Sequence, residues 1–256
     1  MCIRDRTGGV TGNNNIALGK NSGHCVTSGA NNTFVGAYTA DGFAALTGSY
    51  NANFGFRAGG NLTTGDNNIS IGHCAGKGYT TQSDNISIGC KAGGSVSQTS
   101  SQCNIFIGKY AGMHADATGN AIQSAVAIGR CAGYKHEGIY SVAIGDQAGG
   151  HDDNKKSDYS VFIGFNAGRQ DTGGCNVYIG KQAGSATGTT SDNTGYNNVA
   201  IGNEAGQCIS TGDSNIAIGK GSLGSATVTG DGHIALGQDA LKSCLLYTSD
   251  AADEGL

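Results

Sequence analysis

The chain has 256 residues, with 46 glycines, no proline, no tryptophan, and 15 basic against 19 acidic side chains. Weak negative charge spread along the chain, without a basic cluster, argues against nucleic acid as a partner. No apolar run is long enough to span a bilayer, so this segment does not insert in a membrane. The absence of a strict Gly-X-Y period excludes collagen, and regular Ile/Val spacing excludes a disordered linker.

Both ends read as foreign. Met1 to Asp5 can be encoded by a stretch whose reverse complement also encodes Leu-Leu-Tyr-Thr within Cys244 to Ser249. The inverted pair looks like the transposase end used in sequencing-library preparation, and Asp250 to Glu254 fit the adjoining adapter. Residues 1–6 and 244–256 are therefore set aside as adapter scars, which leaves residues 7–243 as one repeat domain, a fragment of a longer protein.

Within that domain one motif, Asn-(Ile/Val)-x-(Ile/Leu)-Gly-x-x-Ala-Gly, recurs thirteen times. With its first glycine as position zero, the residue at −1 is in chain order Leu18, Val35, Phe54, Ile71, Ile88, Ile107, Ile128, Ile144, Ile163, Ile179, Ile201, Ile218 and Leu236. Position −3 is Ile or Val throughout except at Thr33 and Ala52. Self-similarity at this period marks stacked rungs that cannot bury their apolar faces singly. Each copy predicts a short strand closed by a glycine bend. The whole predicts an all-β parallel β-solenoid of about 13 rungs, roughly 60 Å long at about 4.8 Å per rung. Ala at +3, as in Ala75 and Ala92, fits a narrow interior, and Asn at −4, as in Asn51 and Asn68, suits a hydrogen-bonded ladder.

Residues two apart on a strand share a face, so the largely apolar −3 column and the wholly apolar −1 column are expected inside the coil. The −2 column then faces outward, yet it too is mostly apolar. A strand apolar on both faces is buried on both. Phe34, Phe106, Ala127, Ala143, Phe162, Tyr178, Ala200 and Ala217 are thus expected to seal a homo-oligomer.

Catalytic chemistry is absent from the pattern. The six histidines, His24, His73, His114, His136, His151 and His233, offer no well-matched pair in one repeat column, so no metal and no cofactor are expected. Cys25, Cys74, Cys90, Cys103, Cys131, Cys175 and Cys208 form no CxxC pair and read as small side chains in tight columns. The repeated glycines are not a phosphate loop, since no Lys-Ser/Thr or helix start follows them.

Ser141-Val142-Ala143-Ile144-Gly145 and Asn198-Val199-Ala200-Ile201-Gly202 resemble the head repeats of trimeric autotransporter adhesins, and related repeats occur in bacteriophage tail fibres. The resemblance covers nearly everything from Asn15 to Leu241. It implies a left-handed parallel β-roll, three chains side by side, and attachment to a host surface glycan or protein. It places the protein at the cell surface or in a virion tail fibre. These repeats are longer and more variable than the adhesin heads, and the seven cysteines favour the tail-fibre branch.

What varies is the connection between rungs. Tyr79, Tyr134, Lys135, His136, His151, Asp152, Asp153, Asn193 and Tyr196 are the candidate binding residues there, because insertions in solenoids gather on one face and Tyr and Asn suit glycan or protein contacts. The function expected is a non-enzymatic surface adhesin or receptor-binding fibre head. The alternative is a purely structural stalk or spacer.

Overall fold

A computed structural model describes residues 11–42, 44–94, 102–113, 123–135, 138–151, 157–186, 193–207, 209–224 and 227–242. It is an all-β parallel solenoid. Thirteen three-residue strands form one sheet: β1 (Ile16–Leu18), β2 (Thr33–Val35), β3 (Ala52–Phe54), β4 (Ile69–Ile71), β5 (Ile86–Ile88), β6 (Ile105–Ile107), β7 (Val126–Ile128), β8 (Val142–Ile144), β9 (Val161–Ile163), β10 (Val177–Ile179), β11 (Val199–Ile201), β12 (Ile216–Ile218) and β13 (Ile234–Leu236). They lie in chain order, each parallel to the next, and every motif position pairs with itself one rung on, as Ile69 with Ile86 and Ile71 with Ile88. Across the coil the rungs touch through parallel bridges Val26–Leu46, Asp171–Asn193 and Ile209–Val228. Among the described residues there is no helix, so none is long and apolar enough to cross a membrane.

Left-handed residues make the corners. Position −5 (Asn67, φ 57°), position +2 (Cys74, φ 57°) and the +4 glycine (Gly76, φ 56°) recur in this conformation along the stack. A non-glycine residue there costs about 1–2 kcal/mol. The cost is offset because each corner joins the inter-rung ladder: the Cys74 N–H donates to the Phe56 carbonyl at 2.9 Å, and Lys91 N–H to His73 at 2.9 Å. The motif glycine itself is required twice over. Gly72 has φ 129°, and a Cβ there would meet the Gly89 carbonyl oxygen at 2.7 Å.

The asparagine ladder forms as the −4 column predicts. Asn32, Asn51, Asn68, Asn85 and Asn104 are all buried, and each side-chain oxygen accepts from the next rung. The +3 alanines, Ala75 to Ala205, are fully buried as expected.

The two faces of the strands are the reverse of the sequence expectation. The −2 column points into the coil. Phe34, Phe106, Ala127, Ala143, Phe162, Tyr178, Ala200 and Ala217 are buried within the single chain and belong to its hydrophobic core, so they are not an oligomer interface. The −3 and −1 columns point out: Ile71 keeps 39 % of its surface exposed where Phe106 keeps 1 %.

The physical reason is the width of the coil. With left-handed corners close on either side, a three-residue strand has a single inward position, its middle one. That position is filled by volume, because neighbouring rungs and the opposite wall must share one narrow space. Where it is small, a larger side chain crosses from the connection. Tyr79 reaches Ser87, their hydroxyls 2.6 Å apart, and Ile209 lies beside Ala200 against Gly206. Where it is Phe, as at Phe106 and Phe162, the ring presses on the following +4 glycines, Gly112 and Gly168, which have no room for a Cβ.

Candidate functional site

Three of the loop residues expected to bind are interior. Tyr79, His151 and Asn193 are buried, and Asn193 Nδ2 donates to the Gly184 carbonyl at 2.7 Å. Tyr79 fills the coil, and burial pushes its hydroxyl well above the ordinary range. Tyr134 and Lys135 are half-buried, with Lys135 Nζ 5.9 Å from the Tyr134 ring centre. Tyr196 is exposed. His136, Asp152 and Asp153 lie outside the described residues. The connections therefore supply core side chains as well as surface, because a thin coil must draw its filling from every segment.

Two surface features take their place. The first is the outer face of the sheet. Ile16, Leu18, Ile69, Ile71, Ile144, Ile201, Ile218, Ile234 and Leu236 are exposed, with the remaining Ile and Val of both columns half-buried between them. Thirteen strands at about 4.8 Å give an apolar stripe roughly 60 Å long and two side chains wide. Monomeric proteins rarely leave a contiguous apolar face of this length uncovered.

The second is the corner formed by positions +1 and +2. Through the first seven rungs it carries Lys20, Arg57, Lys91, Lys109 and Arg130 with no acidic residue, and the first acid, Asp146, comes at rung eight. Aromatic rings lie among the cations because the columns stack in register. The Phe56 and His73 rings stack at 5.4 Å, and Tyr38 meets Phe56 edge-on at 5.8 Å. Arg57 lies over both, 6.0 Å from the Tyr38 ring centre and 5.5 Å from that of Phe56. Lys91 and Lys109 flank Tyr110 at 5.4 Å and 5.2 Å. Arg130 instead pairs with Asp146 at 2.7 Å. Averaging charge over the chain hid this stripe; reading charge column by column reveals it.

Two clusters of titratable groups stand apart from that corner. Asp171 is buried inside the coil, and burial pushes its carboxyl up to about 8, partly offset by hydrogen bonds from Ser157 and Asn176. Sealed from solvent, it serves the core rather than a substrate. His24, Cys25 and Asp41 meet at the surface of the first two rungs, their ligand atoms all within 4.8 Å of one another. His24 and Asp41 share position +5 on consecutive rungs, a match between an imidazole and a carboxylate rather than between two histidines. No protein-family model, curated protein or solved structure matches the chain.

Proposed function

We propose that this chain is a non-enzymatic repeat segment of a surface or virion fibre. Copies pack side by side through the Ile/Val face, and the cationic–aromatic corner holds acidic surface glycans. The outward apolar stripe carries this reading, because a sheet face of that length exposed to water is an aggregation hazard unless another surface covers it. A second copy fits best: the face is in register and uniform from rung to rung, so an identical face matches it along its length. Three chains are proposed from the resemblance to adhesin heads and tail fibres.

The corner suits sugars bearing carboxylate or sulfate groups. Aromatic faces pack against apolar sugar faces, and Arg and Lys meet the anionic substituents. Parallel chains would repeat each weak site, and multivalency turns weak sites into firm attachment. An overall negative chain is a poor match for the dense charge of a nucleic acid, whereas a polysaccharide carries its charges further apart.

The test is retention of the full chain on immobilised uronate-bearing and sulfated glycans. Salt-sensitive retention that is lost in the double variant Arg57→Ala/Lys91→Ala is the expected result. No retention at any glycan density, or retention only on DNA, contradicts it. The burial of Tyr79, His151 and Asn193 favours the second reading, a structural spacer without a ligand, which predicts the first of those contrary outcomes.

A further inference from the structure

We infer that His24, Cys25 and Asp41 form a zinc-class metal site that ties the first described rung to the second. The inference is independent of any ligand at the corner. His24 Nδ1 lies 3.6 Å from Cys25 Sγ and 3.7 Å from Asp41 Oδ1. A tetrahedral ion with bonds of about 2.3 Å to sulfur and about 2.0–2.2 Å to nitrogen and oxygen separates its ligands by about 3.6 Å for S···N and about 3.4 Å for N···O. The two edges from His24 thus already stand near the separations that such an ion requires, and the sulfur and carboxylate lie within 4.8 Å of each other.

The ligand chemistry agrees. One soft thiolate, one imidazole and one carboxylate are the donor types of zinc and its neighbours, whereas calcium or magnesium would demand oxygen alone. Three protein ligands leave a fourth position for water. The geometry arises from the fold: stacked rungs put the +5 residues His24 and Asp41 one above the other, and Cys25 follows His24 in the chain. His24 is exposed and the other two half-buried, so an ion has a path in.

Binding has a defined proton balance. The Cys25 thiol donates to the Gly42 carbonyl at 2.6 Å. On coordination that proton leaves to solvent, the thiolate gives an electron pair to the ion, and neutral His24 binds through Nδ1. Affinity therefore rises with pH. An ion held this way adds a metal bridge between two rungs that Ser22 and Thr27 already link by hydrogen bonds to the Phe34 and Leu46 carbonyls.

The neighbouring group His73, Cys74 and Cys90 is an internal control. Cys74 Sγ lies 3.9 Å from His73 Nε2 and Cys90 Sγ 3.9 Å from His73 Nδ1. The two thiols face opposite nitrogens of one ring, so they do not converge on a single ion.

The experiment is titration of the reduced full chain with cobalt(II), read by thiolate-to-cobalt charge-transfer absorption in the near ultraviolet. One tetrahedral cobalt per chain, displaced by zinc, is expected. Cys25→Ser should abolish the charge-transfer band. His24→Ala and Asp41→Ala should weaken binding by about tenfold or more, a loss that even outer-shell partners can cause. Cys90→Ser and His73→Ala should leave the titration unchanged. As a second readout, zinc should raise the melting temperature of the parent and not that of Cys25→Ser, whose metal-free melting should match the parent. Absence of a band at excess cobalt, or a band that survives Cys25→Ser, overturns the inference.

Discussion

The side-chain oxygen of Asn51 accepts two hydrogen bonds from Asn68, one from its backbone N–H at 2.9 Å and one from its side-chain amide at 3.1 Å. Asn68 repeats the gesture toward Asn85, and its amide also donates to the Gln82 carbonyl at 2.8 Å. Removing the Asn68 side chain takes a hydrogen bond from the Asn51 oxygen, the Gln82 carbonyl and the Asn85 backbone and amide N–H groups. Each such loss costs about 1–3 kcal/mol. Asn68→Ala should therefore destabilise the chain by several kcal/mol in denaturant unfolding. Asn68→Asp should be no better, since a carboxylate cannot donate to Gln82.

The orientation of the strands predicts opposite effects for two aromatic or aliphatic truncations. Phe106→Ala empties the coil and should cost about 3–5 kcal/mol. Ile71→Ser changes an outer position and should leave the unfolding of a dissociated chain within about 0.5 kcal/mol. Equal losses at the two sites would contradict the assignment of faces.

Asp171 makes stability depend on pH. Ser157 Oγ lies 2.5 Å from Asp171 Oδ2 and 2.5 Å from the Gly173 carbonyl, so its one proton cannot serve both. Burial raises the folded carboxyl to about 8 against an ordinary 3.8, so between those values the folded chain holds a proton that the unfolded chain has released. The contribution is fully present below the lower value and is lost as pH rises to the upper one. Its slope is at most about 1.4 kcal/mol per pH unit. Unfolding curves collected across that window should show the decline, and Asp171→Asn should flatten it.

Arg57 should not be replaceable by lysine at the corner. Its planar group spans two rings, Tyr38 and Phe56, and can still grip an anion edge-on. Arg57→Lys keeps the charge and loses that geometry. Retention on acidic glycans should fall in this variant while its dependence on salt stays the same.

Much of the fold could be read from the sequence because the motif is phased. The strand positions, the parallel stacking, the buried Ala75 and the ladder through Asn51 and Asn68 all follow from columns that meet themselves one rung on. The direction of Phe106 did not follow. Hydrophobicity ranks Ile above Ala in either position and cannot tell a coil interior from a face awaiting a neighbour. The cue lay in volume: position −2 mixes Phe, Ala, Ser and Asn, as a space shared with Tyr79 and Ile209 must, while −3 and −1 are almost uniform. The burial of Tyr79 is hidden for the same reason, because a polar connection reads as surface until the coil is known to need filling. The juxtaposition of His24 with Asp41 was legible in principle from their shared column.

Light scattering of the full chain with and without Ile71→Asp and Ile88→Asp tests the central claim most directly. A mass of three chains for the parent, falling to one folded chain in the double variant, is the result this account predicts. A parent that stays a soluble single chain at micromolar concentration would contradict it.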